Sequence, residues 1–228
     1  MAAPGASDSF IVVTGGDALD PAHVADLPAD AVVIAADSGI DHALAAGLTV
    51  DVAVGDFDSV SHASLQVVSD AGAVVERHPA AKDETDLELA LDAAMDRGAR
   101  QILVLGGHGG RLDHLLANAL LLASPKYADA VLVAQMGSAR VTVVRDSATL
   151  TARPGDLVTL LAMHGPARGV TTDGLLYPLD DDELLPGSTR GVSNELTGPR
   201  ASVRLREGVL LAVQPGTTDP DQPRITNR

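Results

Sequence analysis

From Phe10 to about Gln135, short β-branched apolar runs alternate with helix-like segments, and the alternation stops after Gly137. Phe10–Thr14, Val32–Ala35, Val50–Val54, Val74–Arg77, Ile102–Leu105 and Val131–Ala134 read as strands. Several are apolar without a polar face, the pattern of strands buried on both sides of a parallel sheet. Ile40–Ala46, Thr85–Arg97 and Asp113–Ala123 read as helices. The second places Leu87, Ala90, Leu91 and Ala94 on one stripe and meets Gly98 where a helix commonly ends. Strands interleaved with helices predict an α/β fold with a doubly wound, mostly parallel sheet. Beyond Gly137, Val141–Arg145, Asp156–Met163, Gly169–Thr172, Ala201–Leu205 and Gly208–Val213 are strand candidates between Gly/Pro turns. They predict a small C-terminal antiparallel β-sandwich. The expected division is an α/β domain over 8–140, a β-sandwich over 141–215 and a mobile polar tail over 216–228.

Composition narrows what such a fold can do. With 228 residues there is chain enough for two cores, and with 2% aromatics those cores must be built from Ala, Val, Leu and Ile. Cysteine is absent, which excludes disulfides and thiolate-held metal and fits a reducing cytoplasm. A net charge of −15 argues against nucleic acid and anionic membranes as partners. An acidic chain that handles phosphates needs local compensation, and a divalent cation supplies it. No apolar run reaches the ~20 residues of a membrane span. The opening MAAPGASDSF reads as a polar tail and not as a signal peptide.

Ligands of open α/β sheets bind beyond the carboxyl ends of the strands. Four successive loops at that edge carry aspartate: Asp37-Ser38-Gly39, Gly55-Asp56-Phe57-Asp58-Ser59, Lys82-Asp83-Glu84-Thr85-Asp86, and Gly106 through His114. Asp56 and Asp58 stand two apart, so both carboxylates can face one side and hold Mg²⁺ together with water and phosphate oxygens. An Asp-rich turn without metal is the alternative. Asp83 and Asp86 share a face if the helix has already begun at Asp83; otherwise they cap it and complement its dipole. Gly106–Gly110 has four glycines in five positions, which lets backbone N–H groups approach phosphates, and Arg111 can grip one bidentately. His108 and His114 fit no zinc spacing.

Taken in order, Ala36-Asp37-Ser38-Gly39, Gly55–Ser59, Lys82–Asp86 and Gly110-Arg111-Leu112-Asp113-His114 resemble the motif set of the thiamine pyrophosphokinase family. Thr172–Leu179 and Ser193-Asn194-Glu195 are similar to the family's second group, so the resemblance runs from about Val12 to Val213. It implies transfer of pyrophosphate from ATP to the hydroxyl of thiamine, giving thiamine diphosphate and AMP. It further implies Mg²⁺ on Asp56, Asp58 and Asp86, and a nucleotide and phosphate site of Asp37, Lys82, Asp83, Thr85, Arg111, Asp113 and His114. Ser193, Asn194 and Tyr177 would bind thiamine, and the chain would be a homodimer with active sites between subunits. Gly191-Val192 stands where the family usually shows Ser-Thr, and Leu176 where it often shows Lys. The alternatives are a pyrophosphokinase for another hydroxymethyl heterocycle such as a pterin, and a non-catalytic nucleotide-binding regulatory module.

Overall fold

The computed structural model describes residues 7–81 and 83–216. Contacts divide the chain into two compact units, Met1–Gly137 and Ser138–Arg228. Lys82 and the tail from 217 onward lie outside the described residues.

The first unit contains β1 (Ser9–Val13), β2 (Val32–Ala36), α1 (Gly39–Ala45), β3 (Val52–Gly55), α2 (His62–Asp70) and β4 (Val74–Arg77). It continues with α3 (Asp86–Asp96), β5 (Gln101–Leu105), α4 (Leu112–Leu122) and β6 (Val131–Met136). The strands run in the order β6-β5-β1-β2-β3-β4, and every neighbouring pair is parallel. The chain fills the sheet on one side of β1 and then crosses to the other. The ends of β1 and β5 therefore flank the point where strand order reverses, the place where such sheets open a crevice.

Both faces of the sheet are covered. Ile11, Val13, Val33 and Ala35 pack with Ile40 and Ala43 of α1 and Val68 of α2. The alternate residues Phe10, Val12, Ile34 and Val54 are equally buried. Helix α3 buries Leu87, Ala90, Leu91 and Ala94 and packs on β1, β2 and β3. Its N-cap is Thr85, whose hydroxyl accepts the N–H of Glu88 at 3.2 Å, and Gly98 follows its end with φ of 86°. A 3-10 turn at Pro125–Tyr127 is tied to α3, with Tyr127 Oη donating to Asp92 at 3.0 Å and Lys126 Nζ to Glu88 at 3.0 Å.

Helix α4 differs from the others. Eight of its eleven residues are Leu or Ala, yet only Asn118 and Leu122 are buried. Leu112, Leu116 and Leu120 form an exposed row at helical spacing, at 68%, 57% and 52% exposure.

The second unit holds β7 (Ala139–Val144), β8 (Ser147–Thr151), β9 (Leu157–Ala162), β10 (Ala167–Asp173), β11 (Asp182–Leu184), β12 (Asn194–Glu195), β13 (Arg200–Arg204) and β14 (Leu210–Gln214). Its strands form two antiparallel layers, β12-β9-β14-β7 and β11-β10-β13-β8. Leu150, Val158, Leu160, Val170, Leu196, Val203 and Leu210 close its core, which is aliphatic throughout. The expected α/β fold followed by a β-sandwich is what the chain adopts. Three short strands (β8, β11 and β12) and helix α2 were not expected from sequence. No described helix is long and apolar enough to cross a membrane.

Candidate active site

Beyond β2 the chain turns sharply at Asp37, whose φ is 44°. Its N–H donates to the carbonyl of Val54 at 2.9 Å, which draws the residue under the loop that follows β3. Asp37 is buried, and its Oδ1 has no hydrogen-bond partner among the described residues. Burial raises the pKa of its carboxyl above the ordinary value of 3.8, and the nearby charges of Asp86, Asp58 and Asp56 add to the effect. In the next loop Phe57 adopts φ of 63° with its ring buried, and the Arg77 guanidinium lies 5.1 Å from the ring centre. The Asp58 N–H donates to Asp56 Oδ1 at 3.2 Å, and Ser59 Oγ donates to Asp58 Oδ1 at 2.7 Å. The segment is thus an Asp turn and part of a carboxylate cluster at once. Carboxylate oxygens of Asp37, Asp56 and Asp58 lie within 4.8 Å of one another.

Three carboxylates this close repel one another, and one oxygen of the innermost has no hydrogen-bond partner among the described residues. A hard divalent cation answers both conditions, so the donor set fits Mg²⁺. Asp86 lies outside that trio but close enough to raise Asp37. Asp83 is exposed and precedes α3, which begins at Asp86, so the two do not share a helical face.

The cleft beside this cluster encloses about 300 Å³ and is lined by Asp37, Ser38, Ser59, Thr85, Asp86, Arg111 and His114, among others. Gly106, Gly107, Gly109 and Gly110 all have positive φ (94°, 76°, 89° and 63°), so the loop before α4 takes a path that glycine alone follows without strain. The Asn118 amide donates to the carbonyl of Gly107 at 3.0 Å and pins that loop from below. Arg111 donates to both oxygens of Asp113, at 2.9 and 2.6 Å. That pair holds Asp113 well below the usual carboxylate range and raises Arg111 further.

Sequence reasoning overlooked the loop after β1. Thr14, Gly15 and Gly16 line the cleft with His108 and Asn118. Gly107 N–H donates to Gly15 O and Asp17 N–H to His108 O, both at 2.9 Å, which joins the two loops as a continuation of the β1–β5 pairing. A Cβ on Gly16 would lie 2.2 Å from the carbonyl oxygen of His108, so the close approach requires glycine. The signal was present: a Gly-Gly-Asp run directly after an apolar strand, as in the neighbouring loops.

In the second unit Tyr177 exposes 65% of its surface. The Asn194 amide clamps its backbone, accepting from Tyr177 N–H at 3.0 Å and donating to Tyr177 O at 2.7 Å. Ser193 is exposed, with φ of 58°. A Cβ on Gly191 would stand 2.3 Å from the carbonyl of Leu160, which gives a steric reason for glycine where the family usually has Ser.

Residues 27–134 match the family described as "Thiamin pyrophosphokinase, catalytic domain", and residues 145–210 match "Thiamin pyrophosphokinase, vitamin B1 binding domain". The thiamine pyrophosphokinase of Bacillus subtilis is 28% identical over 183 residues, 79% of this chain and 86% of the relative. Its crystal structure superposes with a TM-score of 0.80 at 25% identity, over 92% of this chain and 100% of that one. The thiamin pyrophosphokinase structure from Geobacillus thermodenitrificans is 30% identical, with a TM-score of 0.76 over 93% of this chain and 98% of that one. With both halves matched in chain order and such a relative aligned nearly end to end, the chain belongs to the thiamine pyrophosphokinase family.

Proposed function

We propose that the protein transfers the pyrophosphoryl group of ATP to the hydroxyl of thiamine, releasing AMP. The observation that carries this reading is the trio Asp37, Asp56 and Asp58 beside a glycine-lined cleft, in a chain of this family. In the reaction the alcohol oxygen bonds to the β-phosphorus, and the bond from that phosphorus to the oxygen bridging it to the α-phosphorus breaks. Such transfers ask little covalent chemistry of a protein; positioning and charge neutralisation carry them.

Mg²⁺ would be held by Asp37, Asp56 and Asp58, with Asp86 at the rim, and would offset phosphate charge. The backbone of Gly106–Gly110, with Thr85, Asp83, Lys82 and His114, would receive the nucleotide. Arg111 would exchange its Asp113 partner for a phosphate, since the pair is exposed and Arg111 lines the cleft. Asp37 and Asp113 are the carboxylates that could take the hydroxyl proton, and Asp113 is the poorer base, because its ion pair with Arg111 holds it well below the usual carboxylate range. Ser193, Asn194 and Tyr177 would form the thiamine-binding surface. The absence of cysteine fits a cytoplasmic enzyme.

The deciding experiment incubates the protein with ATP, Mg²⁺ and thiamine and identifies both products by mass. Thiamine diphosphate and AMP are expected. ADP would mean single-phosphoryl transfer and another class of enzyme, and turnover of a hydroxymethylpterin in place of thiamine would reassign the acceptor. No turnover with nucleotide still bound would favour a regulatory module.

We further propose a homodimer with active sites between subunits. The uncovered row Leu112, Leu116 and Leu120 supports it, because an apolar helix face is seldom left to water. Sedimentation is expected to give a dimer, and an active monomer would refute this.

A further inference from the structure

The φ of 58° at Ser193 is one that residues other than glycine keep only where their surroundings hold them. The hold is visible. Ser193 N–H donates to Thr159 Oγ1, on β9, at 3.1 Å across 34 positions of sequence. On one side of Ser193, Leu160 N–H donates to Gly191 O at 2.8 Å and Val192 N–H to Thr189 O at 3.0 Å. On the other, Asn194 pairs with Val158 in the β12–β9 ladder. The turn 191–194 is therefore laid along β9, and Thr159 supplies the side-chain contact at its strained residue. A β-branched side chain in a strand has few rotamers, so its hydroxyl is fixed before any substrate arrives.

We propose that Thr159 is a positioning residue for acceptor binding. By holding the Ser193 N–H it fixes the backbone from which the exposed Ser193 side chain projects. The inference rests on the reading of Ser193 as part of the thiamine-binding surface. Without the Thr159 hydroxyl, the Ser193 N–H loses its partner and the left-handed conformation loses a restraint. The turn then relaxes toward ordinary backbone angles and moves the serine.

The test compares Thr159→Val, Thr159→Ala and Thr159→Ser in the full chain, measuring KM for thiamine, KM for ATP, thermal stability and hydrogen exchange at the Ser193 amide. Thr159→Val is expected to raise KM for thiamine roughly three- to tenfold, the scale of one hydrogen bond. KM for ATP and the melting temperature should stay near wild type, the Ser193 amide should lose protection, and Thr159→Ser should restore both properties. Thr159→Ala should behave as Thr159→Val does and serves in its place if that variant does not fold. An unchanged KM for thiamine in a folded variant whose Ser193 amide exchanges freely would overturn the proposal. So would an equal rise in both KM values with a lowered melting temperature, which marks a merely structural role. If the wild type makes no thiamine diphosphate, the underlying reading fails and this one with it. That result is distinct from a wild type that turns over thiamine and a Thr159→Val variant that matches it.

Discussion

Asp56→Asn is expected to lower kcat by about 10²–10³-fold, the usual loss when one electrostatic group is removed from a transition-state site, while the protein stays folded. Both halves of the expectation follow from geometry. Asp56 is half-buried, and its Oδ1 accepts the N–H of Asp58 at 3.2 Å. An asparagine oxygen can accept the same hydrogen bond, so the turn keeps its shape. What disappears is one negative charge of a trio whose oxygens lie within 4.8 Å of one another. In the metal-free protein that loss relieves repulsion; in the proposed Mg²⁺-bound enzyme it would remove a ligand. Circular dichroism should match wild type and the metal-free melting temperature should not fall, while the Mg²⁺ needed for half-maximal activity rises steeply. Full Mg²⁺-dependent turnover in Asp56→Asn would sink the metal assignment.

How far the sequence announces this site depends on the kind of signal each residue leaves. The sheet was legible because β1, β2 and β3 are buried on both faces, and unbroken runs such as Ile11-Val12-Val13 have no other comfortable home. Helix α2 was not, because it lies mostly exposed and buries Val68 alone, so its apolar stripe is too weak to stand out. Strands β8 and β12 escaped for related reasons: Ser147, Thr149 and Thr151 face water, and β12 is only two residues long.

Within the site, the aspartate loops could be found by their regular position after strands. The place of Asp37 in the carboxylate trio could not, since it depends on a positive φ and a hydrogen bond to Val54 on the neighbouring strand. Asn118 and Thr159 left no local mark at all. Each acts on a backbone group supplied by another element, and only the folded chain brings the two together. Asp83 shows the converse: its spacing from Asp86 left a shared helical face and a capping role both open, and the Thr85 cap, with the helix starting at Asp86, realises neither.

Asp37→Asn tests the buried end of the cluster through stability, independently of turnover. Asparagine tolerates the positive φ at this position, so the substitution leaves the backbone path open. Asp37 titrates above its ordinary value of 3.8 because burial and the charges of Asp86, Asp58 and Asp56 oppose its ionisation. The folded state therefore keeps a proton that the unfolded chain has already released. The stability tied to this group is complete below the unfolded value and is lost as pH rises through the folded one. Once pH has risen above the folded value, the metal-free wild type carries the burden of a buried ionised carboxylate whose Oδ1 has no partner among the described residues. Removing it should raise the melting temperature by roughly 2–4 °C, which corresponds to about 1 kcal/mol in a chain of this size. As pH falls toward 4 the difference should shrink, because the wild type regains its proton and the variant has none to gain. Added Mg²⁺ reverses the order: a cation that binds the native trio stabilises the wild type by mass action and has less to grip in Asp37→Asn. Melting curves of both proteins at two pH values, with and without Mg²⁺, check the whole argument. Equal stabilisation of the two by Mg²⁺ would remove Asp37 from the metal site and leave its burial without a cation to account for it.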